Sequence, residues 1–163
     1  MVSVGEVSPT FWQFYPVLQE DKDMDIFEAL TKHHDTLRDL FGQAAADSSR
    51  FADLKKHLQV HHKNEEKILY EVMKNKEQTR KDALEAIEEH HVIELLLVDL
   101  ENFPTSDERW VIKLEVLEEY TNHHLKEEED EIFPEGQKVI EAAASEEMGK
   151  RFEAIKAKQL AVL

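Results

Sequence analysis

Two short stretches of the sequence pair a histidine with a glutamate four positions later. The pairs are His61 with Glu65, within HHKNEE, and His124 with Glu128, within HHLKEE. Residues four apart lie on the same face of an α-helix, so each pair would project an imidazole and a carboxylate in one direction. Two such helices facing each other would bring four metal-binding groups into one interior volume.

The other histidines support this interpretation because all nine fall into four clusters, each on a different predicted helix. Apolar residues at alternating spacings of three and four define one core-facing stripe per helix, and every stripe contains a histidine. The stripes are Phe27, Leu30, His34, Leu37, Phe41 and Ala44; Phe51, Leu54, Leu58, His61, Glu65, Ile68 and Val72; Ala83, Ala86, His90, Ile93, Leu97 and Leu100; and Trp110, Leu114, Leu117, Thr121, His124 and Glu128.

All four clusters contain an adjacent histidine as an alternative: His33, His62, His91 and His123. Stripes through His91 and His123 compete in the third and fourth helices, but they would bury charged side chains, so His90 and His124 are preferred. In the first helix, His33 lies about 100° around the axis from its stripe and is expected to point elsewhere.

Glu65 and Glu128 give the strongest argument for a metal. Two buried carboxylates are costly without a partner, and when they lie close together one of them is pushed to protonate. No Lys or Arg lies in the stripes, so a divalent cation is needed between them. The candidate ligands are His34, His61, Glu65, His90, His124 and Glu128. They exceed what one tetrahedral zinc can use, whereas two iron ions sharing the carboxylates suit the set and keep positions for an oxo or hydroxo bridge or a small oxidant.

Composition narrows the class of protein. With 20 basic and 36 acidic residues among 163, the formal net charge is −16, which disfavours nucleic acid and anionic membranes as partners. The absence of cysteine excludes disulfides, thiolate zinc sites and iron–sulfur clusters. The N-terminus has no signal-peptide pattern and no apolar run approaches a membrane span, so a cytoplasmic protein is expected.

The predicted fold is all-α: an up-down-up-down antiparallel four-helix bundle over residues 23–135. An N-terminal arm, residues 1–22, precedes it, and a C-terminal helical extension, residues 136–163, follows. Few glycines and prolines favour long helices joined by short turns. A ferritin-like site is disfavoured, because it requires Glu-x-x-His on two helices and only Glu88 with His91 meets that spacing.

The six candidate ligands, in this order and with their KHH, EHH, ILY and EIFP contexts, resemble the hemerythrin-like (HHE cation-binding) domain over about residues 23–135. The resemblance implies a four-helix bundle with a non-haem di-iron centre, in which Glu65 and Glu128 bridge the ions. Iron is therefore expected in preference to manganese or zinc.

One departure from that family concerns a further histidine ligand. Animal hemerythrins supply it by His-x3-His on the third helix, and no histidine stands at that spacing from His90. Glu94, or His57 one turn before the second-helix ligand, would complete the site unless the position stays open. Tyr70 and Tyr120 are candidate hydrogen-bond donors behind the ligands.

The leading functional hypothesis is a stand-alone di-iron protein that binds O2, peroxide or nitric oxide as a sensor, buffer or iron store. A di-iron catalase or peroxidase is the enzymatic alternative, and a structural or interaction module with a folding metal is the third. The sequence assigns neither catalytic residues nor an oligomeric state. Apart from Glu128, the acidic run Glu127–Glu131 is interpreted as a solvated face.

Overall fold

In a computed structural model, which describes residues 24–162, the chain is a bundle of α-helices. The helices are α1 (Ile26–Ala46), α2 (Phe51–Glu65), α3 (Glu71–Met73), α4 (Arg80–Glu101), α5 (Arg109–Glu127), α6 (Phe133–Val139) and α7 (Ala142–Leu160). A short 3-10 turn, Ser48–Arg50, precedes α2. Residues 24–162 contain no β-strand. The predicted all-α bundle is confirmed, while the predicted arm, residues 1–22, lies outside the described residues. Within residues 24–162, no helix is both long and apolar enough to cross a membrane.

Two π-helical turns interrupt the long helical segments. Glu66–Tyr70 joins α2 to α3, and Glu128–Ile132 joins α5 to α6. A π turn closes on i→i+5 hydrogen bonds, so it holds an extra residue and rotates everything that follows. The core position predicted for Val72 is consequently taken by Met73, which is fully buried, whereas Val72 is 36% exposed. The prediction for Val72 is wrong for this reason.

The bundle has two hydrophobic clusters, and on each of α1, α2, α4 and α5 a histidine lies between them. One cluster includes Leu30, Leu69, Met73, Ala86 and Phe133. The other includes Leu37, Leu58, Ile93, Leu97 and Leu117. Each cluster buries apolar side chains from several helices, which fixes their relative positions and holds the polar layer between them.

The C-terminal extension is part of the bundle, because its helix α7 packs against α1 and α2. Gly149 permits this contact: a Cβ built there would lie 2.1 Å from the backbone oxygen of Met24. Phe152 is fully buried, and Lys56 of α2 donates a hydrogen bond to the Leu160 carbonyl at 2.9 Å. One side of the histidine layer is therefore covered by a fifth long helix.

Candidate metal centre

The six side chains predicted as ligands are all buried and meet in the layer between the two hydrophobic clusters. They form two groups, in each of which one atom per residue lies within 4.8 Å of the others. The first group, called here the His34 half, contains His34, His61, Glu65 and Glu128. The second, the His90 half, contains Glu65, His90, His124 and Glu128. Both carboxylates belong to both halves.

Glu128 lies between imidazoles from three helices. Its Oε2 is 3.3 Å from the Nε2 of His34. Its Oε1 is 3.1 Å from the Nε2 of His124 and 3.8 Å from that of His90. The carboxylate is thus placed to contact the ligand atoms of both halves.

Glu65 occupies the corresponding position on α2. Its Oε2 lies 3.5 Å from the Nε2 atoms of both His61 and His90, yet neither Glu65 oxygen has a hydrogen-bond partner. The same is true of Glu128 Oε2 and of the Nε2 atoms of all four predicted histidine ligands. Buried polar atoms without partners are costly, and here they converge from facing helices. This donor set fits a metal ion.

The opposite nitrogen of each predicted histidine ligand is held by a neighbouring side chain. The Nδ1 contacts are His34 to Glu129 at 2.8 Å, His90 to Glu66 at 2.9 Å, His124 to Glu89 at 2.7 Å and His61 to His33 Nδ1 at 3.1 Å. Where a carboxylate accepts the Nδ1 proton, the Nε2 lone pair faces the centre. Metal-ligating histidines typically have such outer partners.

These outer carboxylates correct the expectation of a solvated acidic run. Glu129 bonds to His34 and also accepts a hydrogen bond from Arg38 at 2.9 Å. Glu66, the first residue of a π turn, reaches His90 Nδ1 at 2.9 Å. The sequence signal that could have identified these two carboxylates is their position, since Glu66 and Glu129 each directly follow a predicted ligand.

His62 was missed by the sequence prediction. It is 95% buried, and its ring stacks on that of His90 with centroids 4.0 Å apart and planes inclined by 15°. One ligand atom from each of His62, His90 and His124 lies within 4.8 Å of the others. The histidine doublet is the sequence signal that could have identified His62. Successive residues of a helix are about 100° apart around its axis, so the neighbour of His61 can face α4.

The two residues predicted to complete the site lie in neither half. His57 Nδ1 is 3.1 Å from His33 Nε2, and Glu94 accepts a hydrogen bond from Gln59 at 2.7 Å. His62 replaces them as the candidate fifth imidazole, because it alone of the three lies within reach of His90 and His124.

His33 is buried against the site and does not point away from it as expected. Its ring lies 6.0 Å from that of Phe152 on α7 and 5.0 Å from that of His61. Burial, followed by the nearby charge of Lys156, lowers the pKa of His33 to about 3, so it is neutral at pH 7. Because α7 covers this face of α1, both members of the first doublet are interior.

The two tyrosines differ in their relation to the site. Tyr70 is fully buried, and its hydroxyl donates a hydrogen bond to Glu128 Oε1. Burial and the Glu128 charge raise the pKa of Tyr70 well above its usual range, so the phenol keeps its proton. Tyr120 packs against the second hydrophobic cluster, and among the described residues it makes no hydrogen bond to a predicted ligand.

Electrostatics within the layer separate the two carboxylates. Burial and the charge of Glu128 raise the pKa of Glu65 well above its usual range. Burial opposes ionisation of Glu128 as well, but the adjacent imidazoles of His124 and His34 hold its pKa well below its usual range. Burial and neighbouring imidazoles keep the pKa of His61 and His62 low, so both are neutral and suited to metal binding.

Comparison with known families agrees with this geometry. The sequence model of the hemerythrin HHE cation-binding domain matches residues 25–135. The chain belongs to this family. The matched region contains both halves of the centre and ends before α7 begins. Comparisons with curated proteins and with solved structures gave no significant match.

Proposed function

We propose that this chain binds two iron ions in its histidine layer and uses them to bind O2 or a related small oxidant, peroxide or nitric oxide. The observation that carries the proposal is that Glu65 and Glu128 belong to both halves of the centre. Shared carboxylates are typical of paired ions, and mixed imidazole and carboxylate ligands suit iron. Membership of a cation-binding family supports the presence of a metal.

The two halves offer different numbers of protein ligands. The His34 half provides two imidazoles and the shared carboxylates. The His90 half provides His90, His124 and the same carboxylates, and His62 lies within reach of these two imidazoles as a candidate further ligand. We therefore assign the external ligand to the His34 half, where fewer positions are taken by side chains. When bound, the iron pair would supply reversible electron transfer to the oxidant.

The side chains around the His34 half favour a neutral ligand. Phe133 stacks on His34 with centroids 5.7 Å apart, and the Phe152 ring lies 6.0 Å from His61. Burying an ion against such rings without a partner is costly, whereas O2, nitric oxide and hydrogen peroxide are uncharged. The Tyr70 hydroxyl fixes Glu128 Oε1 by donating to it, which limits rotation of a shared carboxylate.

Metal content and absorption spectra test the proposal. Apoprotein given Fe2+ without oxygen should retain about two ions per chain, and exposure to O2, nitric oxide or peroxide should produce new charge-transfer absorption. Release of O2 from peroxide would distinguish turnover from binding. The His124→Ala variant should lose iron, while His123→Ala, which alters the exposed member of the same doublet, should retain it.

Two outcomes would contradict the proposal. Fewer than two ions per chain, or a single zinc ion with no response to any oxidant, would indicate a metal that serves folding alone. Equal iron content in the His123→Ala and His124→Ala variants would remove the assignment of the buried histidine.

A further inference from the structure

A surface depression lies between α2 and α4, beside the His90 half. Its volume is about 790 Å³, much larger than that of the depression between α4 and the α5–α6 segment, at about 290 Å³. Its lining includes His62, Lys63, Glu66, Glu88, His90 and Glu94. Three carboxylates against one ammonium give this rim a net negative formal charge.

The depression reaches the predicted ligands directly. His62 and His90 both line it. His90 belongs to the His90 half, and His62 has a ligand atom within 4.8 Å of one on His90 and one on His124. Both side chains are more than nine-tenths buried, and the Nε2 of each lacks a hydrogen-bond partner. The His62 side chain makes no hydrogen bond to any residue between 24 and 162. An unpartnered, buried imidazole therefore stands between the rim and the centre.

We propose that this depression is the route by which ferrous iron enters the centre, with His62 as the first buried ligand that the ion meets. The inference rests on the proposed di-iron function. Glu88 and Glu94 attract the hydrated divalent cation to the rim. The ion then exchanges water for imidazole nitrogen at His62, with no change of oxidation state, and passes to the shared carboxylates.

Two other faces of the centre are less suited to this role. On the α7 side, His33 and Phe152 are buried and cover the His34 half. The smaller depression is richer in carboxylates, including Glu85 and Glu131, but none of its lining residues belongs to either half. Its one link to the centre is Glu89, whose carboxylate already accepts a hydrogen bond from His124.

Loading kinetics can test the route separately from binding. Apoprotein is mixed rapidly with Fe2+ under anaerobic conditions, and unbound Fe2+ is captured by a ferrous chelator at successive times. The Glu88→Gln/Glu94→Gln variant should load about threefold to tenfold more slowly at low ionic strength, with the difference shrinking in salt. The final iron content should equal that of the unmodified protein, because neither residue belongs to either half.

The matched control is the Glu85→Gln/Glu131→Gln variant. It changes the net charge by the same two units but acts on the other depression. It should load at nearly the unmodified rate. Equal slowing in both variants, greater slowing in the control, or no slowing in either would overturn the route while leaving the di-iron site intact. Failure of the unmodified protein to reach about two ions per chain would instead overturn the proposed function, and the route with it.

Discussion

The two halves of the centre share their carboxylates but differ in what surrounds them. The His34 half is closed by Phe133, by Phe152 and by the docking of α7. The His90 half adjoins the larger surface depression, whose lining includes the stacked rings of His62 and His90. Similar ligands can thus serve different steps, because exclusion of water strengthens electrostatic interactions at one half while solvent contact permits ion exchange at the other.

The largest effect is expected from removing a carboxylate that both halves use. The Glu128→Ala variant should lose both ions, with affinity lowered by at least about 100-fold, since loss of outer partners alone costs 10- to 100-fold. Iron content after dialysis measures this. Glu119→Ala, an exposed change on the same helix, is the control and should retain iron. Retention of one tightly held ion in Glu128→Ala would show that the halves do not share this ligand.

A smaller and more selective effect is expected from an outer partner. Glu89 accepts a hydrogen bond from His124 at 2.7 Å, so Glu89→Gln should weaken the His90 half while leaving the His34 half intact. About a 10- to 100-fold loss of affinity is expected in one of the two phases of an anaerobic Fe2+ titration. The control is Glu85→Gln, one turn earlier on α4. Equal weakening of both phases would contradict the separation of the halves.

The smallest effect concerns the helix that closes the His34 half. Gly149→Ala places a Cβ against the backbone of Met24, so α7 must shift, and the free energy of unfolding should fall by about 1–3 kcal/mol. Gly42→Ala in α1 meets no atom within 4 Å and should raise it by up to about 1 kcal/mol through helix propensity. Urea denaturation of the two apoproteins measures the contrast. Equal values would mean that α7 does not depend on the close approach.

Much of this arrangement follows from helical periodicity. The buried residues of α4 are those of its predicted stripe, with His90 interior and His91 exposed. On α5, His124 is likewise interior and His123 exposed. A stripe of apolar residues fixes one face of a helix, and a histidine within that stripe must face the core. The assignment of ligands remains a prediction until metal is measured.

Other features depend on what packs against the neighbouring face. His33 is interior because α7 packs over it. His62 is interior because α4 packs against the side of α2 on which His62 lies, next to the side that carries His61. Periodicity along one helix says nothing about a second helix that covers its flank.

The sequence by itself determined the all-α class, the core stripes and the convergence of two imidazole–carboxylate pairs, because these depend on residue type and the 3.6-residue repeat. The tertiary structure alone decided the π turns after Glu65 and at Glu128, the outer carboxylates on Nδ1 and the unequal access to the two halves. The outer carboxylate contacts join helices that are distant in the chain. A single extra residue in a turn reorients every side chain beyond it, as the exchange of Val72 for Met73 in the core illustrates.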